Sequence, residues 1–172
     1  MNIEIVEFEQ HWARDFARLN YEWIEKYFSV EKHDREILDE PHRYVIEPGG
    51  QIFMAIADAS QGHGIGQESV ASQNKIAVGA VAMIPSGEGI FELTKMAVSP
   101  EFQGRGISNL LMEACINFAS QQRARKVFLE SHRKLKPALA LYTKYAFVEV
   151  PTDPNSEYAR ADIRMEREFV VS

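Results

Sequence analysis

The chain has 172 residues, 45% of them apolar and 26% charged, with a formal net charge of −6. At ~150 residues per domain this is one domain spanning 1–172, and surface scaling buries roughly 70% of the unfolded area, enough for a core without staples. These values exclude a disordered chain, a collagen and a coiled-coil rod, and the acidic balance argues against a general nucleic-acid binder. Alternation in Ile3, Ile5 and Phe8 predicts a first strand. Trp12, Phe16, Leu19, Trp23, Tyr27 and Phe28 recur at helical spacing, and a short second helix near Asp34 to Leu38 stops before Pro41. Gln51 to Ala57 and Lys75 to Ile84 read as strands, and Pro85-Ser86-Gly87 turns the chain into a third, Ile90 to Val98. The polar stretch Asp58 to Asn74 reads as a long hairpin loop; its Gly62, Gly64 and Gly66 precede no helix pattern, which favours a flexible loop over a phosphate cradle.

After Ser99-Pro100 a helix runs from about Arg105 to Gln121, with Ile107, Leu110, Leu111, Ala114 and Phe118 on one face. Val127 to Ser131 reads as a strand, Pro137 to Tyr145 as a helix and Phe147 to Val150 as a strand, and alternation at Ala161, Ile163 and Met165 marks the last strand. Hairpins first and strand-helix units later predict an α/β chain with a mixed sheet and helices on its faces.

The longest apolar stretch, Ile76 to Ile84, is far below the ~18 residues that span a bilayer, and MNIEIVEFEQ lacks the basic and apolar regions of a secretory signal. A lone cysteine, Cys115, excludes an internal disulfide and fits a reducing compartment, so the expected location is cytoplasmic. Cys115 sits among Ala114, Ile116 and Phe118, as a buried thiol does rather than a nucleophile. The five histidines show no ligand spacing, so no metal is expected; His132 alone falls near a candidate site. Charge is uneven: residues 101–145 carry 8 basic and 3 acidic side chains, among them Arg123, Arg125 and Lys126. Such a block suits a small polyanion, although a solvated helix end explains it equally well.

The segment Glu92 to Ser108 carries the chemistry. A strand, a Ser-Pro turn and Gln103-Gly104-Arg105-Gly106-Ile107-Ser108 open a helix, whose unpaired amides and positive dipole end attract anions. Glycines at 104 and 106 let an anion approach the backbone, and Arg105 adds charge. No Gly-Lys-Ser/Thr P-loop exists, and Asn109 stands where the dinucleotide fingerprint needs a third glycine.

Met96-Ala97-Val98-Ser99-Pro100 with Gln103-Gly104-Arg105-Gly106-Ile107 resembles the central motif of the GCN5-related N-acetyltransferases (the GNAT superfamily), Gln/Arg-x-x-Gly-x-Gly/Ala. Ala138-Leu139-Ala140-Leu141-Tyr142-Thr143-Lys144-Tyr145-Ala146-Phe147 is similar to that family's A-x-x-L-Y-x-K-x-G-F signature. The resemblance covers essentially the whole chain. Three positions depart from it: Ser108 stands for Gly or Ala, Ala146 for the glycine before Phe147, and Leu135 for an Asn that contacts the pantetheine arm. At Ala146 the replacement costs strain if φ is positive.

The resemblance implies the GNAT fold: a central, mixed but largely antiparallel sheet of about six to seven strands, splayed at strands 4 and 5. It further implies acetyl-CoA as co-substrate, Met96, Ala97 and Val98 along the pantetheine arm, and Gln103, Gly104, Arg105, Gly106, Ile107 and Ser108 at the pyrophosphate. The reaction would be direct, sequential attack of a primary amine on the thioester. An alkyl ammonium is neutral only about once in 2,500 at pH 7, so a base must help, and Glu92 is placed for it. Tyr142 matches the tyrosine near the sulfur, as acid or donor, and a backbone N–H of Met96 to Val98 would receive the oxyanion. Glu31, Asp34, Glu36, Asp39 and Glu40 would form an acidic mouth for a cationic amine beside Trp23, Tyr27 and Phe28. Partners are then a small-molecule or peptide amine, with no nucleic acid and no membrane, and the last strands supply dimer contacts in this family. The alternative is a non-catalytic acyl-CoA-binding or regulatory module of the same fold.

Overall fold

The computed structural model describes residues 2–59 and 75–171. In chain order the elements are β1 (Ile3–Glu7), α1 (Ala13–Tyr27), α2 (Lys32–Asp39), β2 (Gln51–Asp58), β3 (Lys75–Pro85), β4 (Ile90–Val98), α3 (Ile107–Gln121), β5 (Lys126–Ser131), α4 (Lys136–Lys144), β6 (Val148–Val150) and β7 (Ile163–Glu168). The order matches the pattern read from the sequence. Helix α3 begins at Ile107 rather than near Arg105, because Gly106 caps it in a left-handed conformation. Pro41 both ends α2 and opens a π-helical turn, His42–Ile46, which hydrophobic spacing does not separate. Most of the stretch Asp58 to Asn74, including Gly62, Gly64 and Gly66, lies outside the described residues.

The strands form one sheet in the order β1-β2-β3-β4-β5-β7-β6. Every neighbouring pair is antiparallel except β4 and β5, which α3 joins as a crossover. That parallel pair is short, with register Ile90–Lys126, Phe91–Val127 and Glu92–Phe128 only. Beyond Glu92 the two strands diverge, which is the splay expected from the resemblance. Among the described residues, the β5-facing edge of β4 has no strand partner from Leu93 to Val98. A fork therefore opens in the middle of the sheet.

Each face of the sheet holds its own core. On one face α3 and α4 pack Leu111, Met112, Cys115 and Tyr142 onto Phe91, Leu93, Val127 and Leu129. On the other, α1 and α2 pack Phe16, Leu19, Ile24, Ile37 and Leu38 onto Ile52, Met54 and Ala80. Burying each such side chain contributes about 1.5–3 kcal/mol, so both faces anchor the fork rigidly.

Strand β4 carries a bulge. Ala80 pairs with Ala97 and Ala82 with Thr94, so Lys95 and Met96 together oppose Val81. Lys95 takes φ +56°, the left-handed region that costs a non-glycine residue about 1–2 kcal/mol. The extra residue resets the alternation. Leu93 joins the α3 core, and Met96 and Val98 pack against that same core. Lys95 turns to the opposite face and reaches α2.

Candidate active site

The fork encloses a cavity of about 230 Å³. One wall is β4 itself, from Leu93 through Met96, Ala97 and Val98 to Gln103. Opposite it stand Glu130, Ser131 and His132 of β5 and its exit, with Leu135, Ala138 and Tyr142 of the α4 segment. On the α1 side the cavity is walled by Trp23, Tyr27, Phe28, Tyr158 and Arg160. The aromatic residues of α1 thus reach the cleft as expected, and so does His132, whose Nε2 lies 3.3 Å from Asp162.

At the α3 end, Gly104 and Gly106 have φ +78° and +79°, which an L side chain rarely adopts. A Cβ at either would meet nothing within 4 Å, so the space over the turn is open. The N-cap residue of α3, Gly106, makes no side-chain cap bond to the leading amides, which a helix start leaves without intrahelical partners. The Gln103 side chain donates to the Val98 carbonyl at 3.2 Å, tying this turn to the end of β4. Arg105 lies over the Phe102 ring, 4.9 Å from its centroid. Uncapped amides, left-handed glycines and a basic side chain suit a diphosphate, so Gln103 to Ser108 fit that group. Three other basic residues of the block do not meet it. Arg123, Arg125 and Lys126 lie past the C-terminal end of α3; Arg125 donates to the Glu88 carbonyl at 3.2 Å, and Lys126 pairs with Glu166 at 3.5 Å.

Tyr142 is buried on α4, edge-on to Phe147, and burial pushes its phenol up to about 12. It is therefore a protonated donor at neutral pH. Glu92 sits at the foot of the fork, opposite Phe128 in the last paired position. Burial first, then Glu130 and Glu157, raise its carboxyl to about 7, against the opposing charges of Lys95 and Arg164. It is not among the residues that line the cavity; Thr94, Lys95 and Glu130 are, so Glu92 lies one layer below the space. Cys115 is fully buried on α3, and burial alone raises its thiol far above the ordinary range, which leaves no thiolate to attack.

The acidic mouth is not what the cleft presents. Glu31 and Asp34 bond Arg160, Asp39 accepts from the Tyr21 hydroxyl at 2.6 Å, Glu36 faces Lys32 and His33, and Glu40 faces Arg43. Charge counting along α2 could not see these partners. It also missed the group that does meet the cavity. Lys95 donates to Asp34 Oδ1 at 2.8 Å and to the Tyr158 hydroxyl at 2.7 Å, and Arg160 holds Asp34 from both nitrogens. Burial would raise the Asp34 carboxyl, but Arg160 and Lys95 hold it well below the usual carboxylate range. The one available signal was a second charged residue, Lys95, inside the strand that carries Glu92.

The model of the Acetyltransferase (GNAT) family matches residues 2–147. The chain belongs to the GNAT family. A GNAT acetyltransferase of Staphylococcus aureus Mu50 superposes with a TM-score of 0.79 at 17% identity, covering 97% of this chain and 99% of that one. The PaiA N-acetyltransferase of Thermoplasma acidophilum, in complex with coenzyme A, gives 0.68 at 18% identity, over 98% and 100%. A variant of the spermidine N-acetyltransferase SpeG of Vibrio cholerae gives 0.65 at 17%, over 96% and 94%. Comparison with curated proteins gave no match. In this GNAT chain, acetyl-CoA is the co-substrate that the fork and the α3 turn fit. Among the described residues no helix is long and apolar enough to cross a membrane, and no group of His, Cys, Asp and Glu could hold a metal.

Proposed function

We propose that this GNAT protein is an acetyl-CoA-dependent N-acetyltransferase that passes the acetyl group directly to a primary amine. One observation carries the reading: an unpaired strand edge, Leu93 to Val98, leads straight from an uncapped, glycine-turned helix N-terminus into a cavity that a buried tyrosine faces. Acetyl-CoA supplies the activated acyl group. The amides from Gly104 to Ser108 hold its diphosphate, and Met96, Ala97 and Val98 offer main-chain groups to its pantetheine arm.

The side chains then divide the proton work. Glu92, poised near neutrality, takes the proton of the incoming amine through a water in the Thr94–Glu130 layer above it. Backbone N–H groups of the bulge receive the oxyanion. Tyr142 donates to the departing sulfur, whose thiol range of ~8.5 makes this help modest. Keeping both Glu92 and Tyr142 in place favours turnover over a binding-only module.

The test is release of coenzyme A thiol across an amine panel. The expected result is amine-dependent release, with Tyr142→Phe lowering kcat about 10–100-fold at unchanged acetyl-CoA affinity. Binding of acetyl-CoA with no transfer to any amine would assign the non-catalytic role.

A further inference from the structure

On the acceptor side of the cavity two cations stand in front of the two carboxylates that balance them. Lys95 Nζ and Arg160 Nη2 both donate to one oxygen, Asp34 Oδ1, at 2.8 Å each. Arg160 Nη1 donates to Asp34 Oδ2 at 2.7 Å and to Glu31 at 3.1 Å. The two cations line the cavity; Asp34, with 0% exposure, and Glu31 stand behind them. The local field therefore turns its positive end toward the open space. Among the described residues Arg160 Nε has no acceptor, and Lys95 keeps a third N–H beyond its bonds to Asp34 and Tyr158. Burial pushes the Lys95 ammonium below the ordinary lysine range, Asp34 pulls it back and Arg160 pushes it down again. An anion arriving here relieves that repulsion.

The remaining surroundings are aromatic. Arg160 lies over the rings of Phe28 and Tyr158, with Trp23 and Tyr27 beside them. The lining carboxylate of Glu130 is already held by Ser156 at 2.5 Å and Arg164 at 3.5 Å, and His132 faces Asp162.

Resting on the acetyltransferase reading, we propose that the acceptor is an amino carboxylate with an apolar or aromatic side chain, its carboxylate seated on Arg160 and Lys95. Its side chain lies against Trp23, Tyr27 and Phe28, and its amine points into the fork. The amine nitrogen forms a bond to the acetyl carbon, the carbon–sulfur bond breaks with its electron pair leaving on sulfur, the nitrogen's surplus proton replaces the one that Tyr142 gives to that sulfur, and Glu92 has beforehand taken the proton of the ammonium. The cations that bind the carboxylate also disfavour the ammonium form, which eases that loss. A polyamine meets the same cations as repulsion.

The experiment measures thiol release for apolar and aromatic α-amino acids, each beside its decarboxylated amine, with spermidine as polycation. The expected result is a preference of at least about 100-fold in kcat/KM for one or more amino acids over the matching amine. Arg160→Gln should collapse that ratio through KM at unchanged acetyl-CoA KM. Arg160→Lys, which keeps the charge on Asp34 and hence the fold, should narrow the ratio and leave a residue of it. Equal rates for the paired amines, or spermidine as the best acceptor, overturn this inference and leave the acetyltransferase standing. No transfer to any amine, with acetyl-CoA bound, overturns both.

Discussion

Glu92 titrates near neutrality because β4 and β5 still close over it where they remain paired. The plot of kcat/KM against pH should rise on a limb near 7, and Glu92→Gln should lower the rate about 100-fold and remove that limb. A limb that survives the substitution moves the base to another residue. Stability follows the opposite sign. A carboxyl raised to about 7 in the fold stabilises it fully only below the ordinary carboxylate range, and that contribution disappears as pH rises through 7. Glu92→Gln should therefore match the wild type at pH 5 and exceed it by roughly 2 kcal/mol at pH 8.5, read as a higher Tm. Ala146 bears out the strain anticipated from its place in the second motif, with φ +68°. Ala146→Gly should add about 1 kcal/mol in denaturant unfolding. Ala146 was legible in the sequence because motif position alone locates it, and Glu92 was singled out from its place at the start of the strand that leads into the first motif. Lys95 and Tyr158 were not. Strict alternation puts Lys95 on the face of Leu93, and only the bulge sends it to α2; Tyr158 sits in a Pro/Asp/Asn stretch with no period to read.

Helix α3 shows what local pattern can and cannot convey about an element. Strand, turn and helix were plain from Glu92 to Gln121, since glycine, proline and apolar spacing are local signals. Which end of the helix each basic residue occupies was lost in the charge sum over 101–145. Gly106→Ala tests the turn itself. At φ +79° the added Cβ costs about 1–2 kcal/mol in stability, and reshaping the amides should raise the KM for acetyl-CoA about tenfold while kcat falls less. An unchanged KM would remove this turn from the diphosphate site. The crossing of α2 with the chain before β7 was equally hidden, because Asp34 and Arg160 are far apart in sequence and meet only after the sheet forms.

For the whole molecule, Asp34 fastens α2, β4 and the segment before β7 in one buried network. Its carboxyl is held below the ordinary range, so its contribution is present above about pH 4 and fades as pH falls through the lowered value. Asp34→Asn should cost about 3–5 kcal/mol at pH 7, because two cations lose their counter-charge, and should flatten the acid limb of the stability curve below pH 4. A limb as steep as the wild type's would assign acid sensitivity to other carboxylates.

The short register between β4 and β5 has a mechanical corollary. Among the described residues three ladder positions, with the Arg125 and Lys126 amides on the Gly89 carbonyl, join the β5-β7-β6 panel to the rest of the sheet, so this seam is where the native state should breathe. Amides of Leu129 to Ser131 and Ile163 to Met165 should exchange with deuterium sooner than those of β2 and β3, and a thioester wedged in the gap would act as the clasp that slows them.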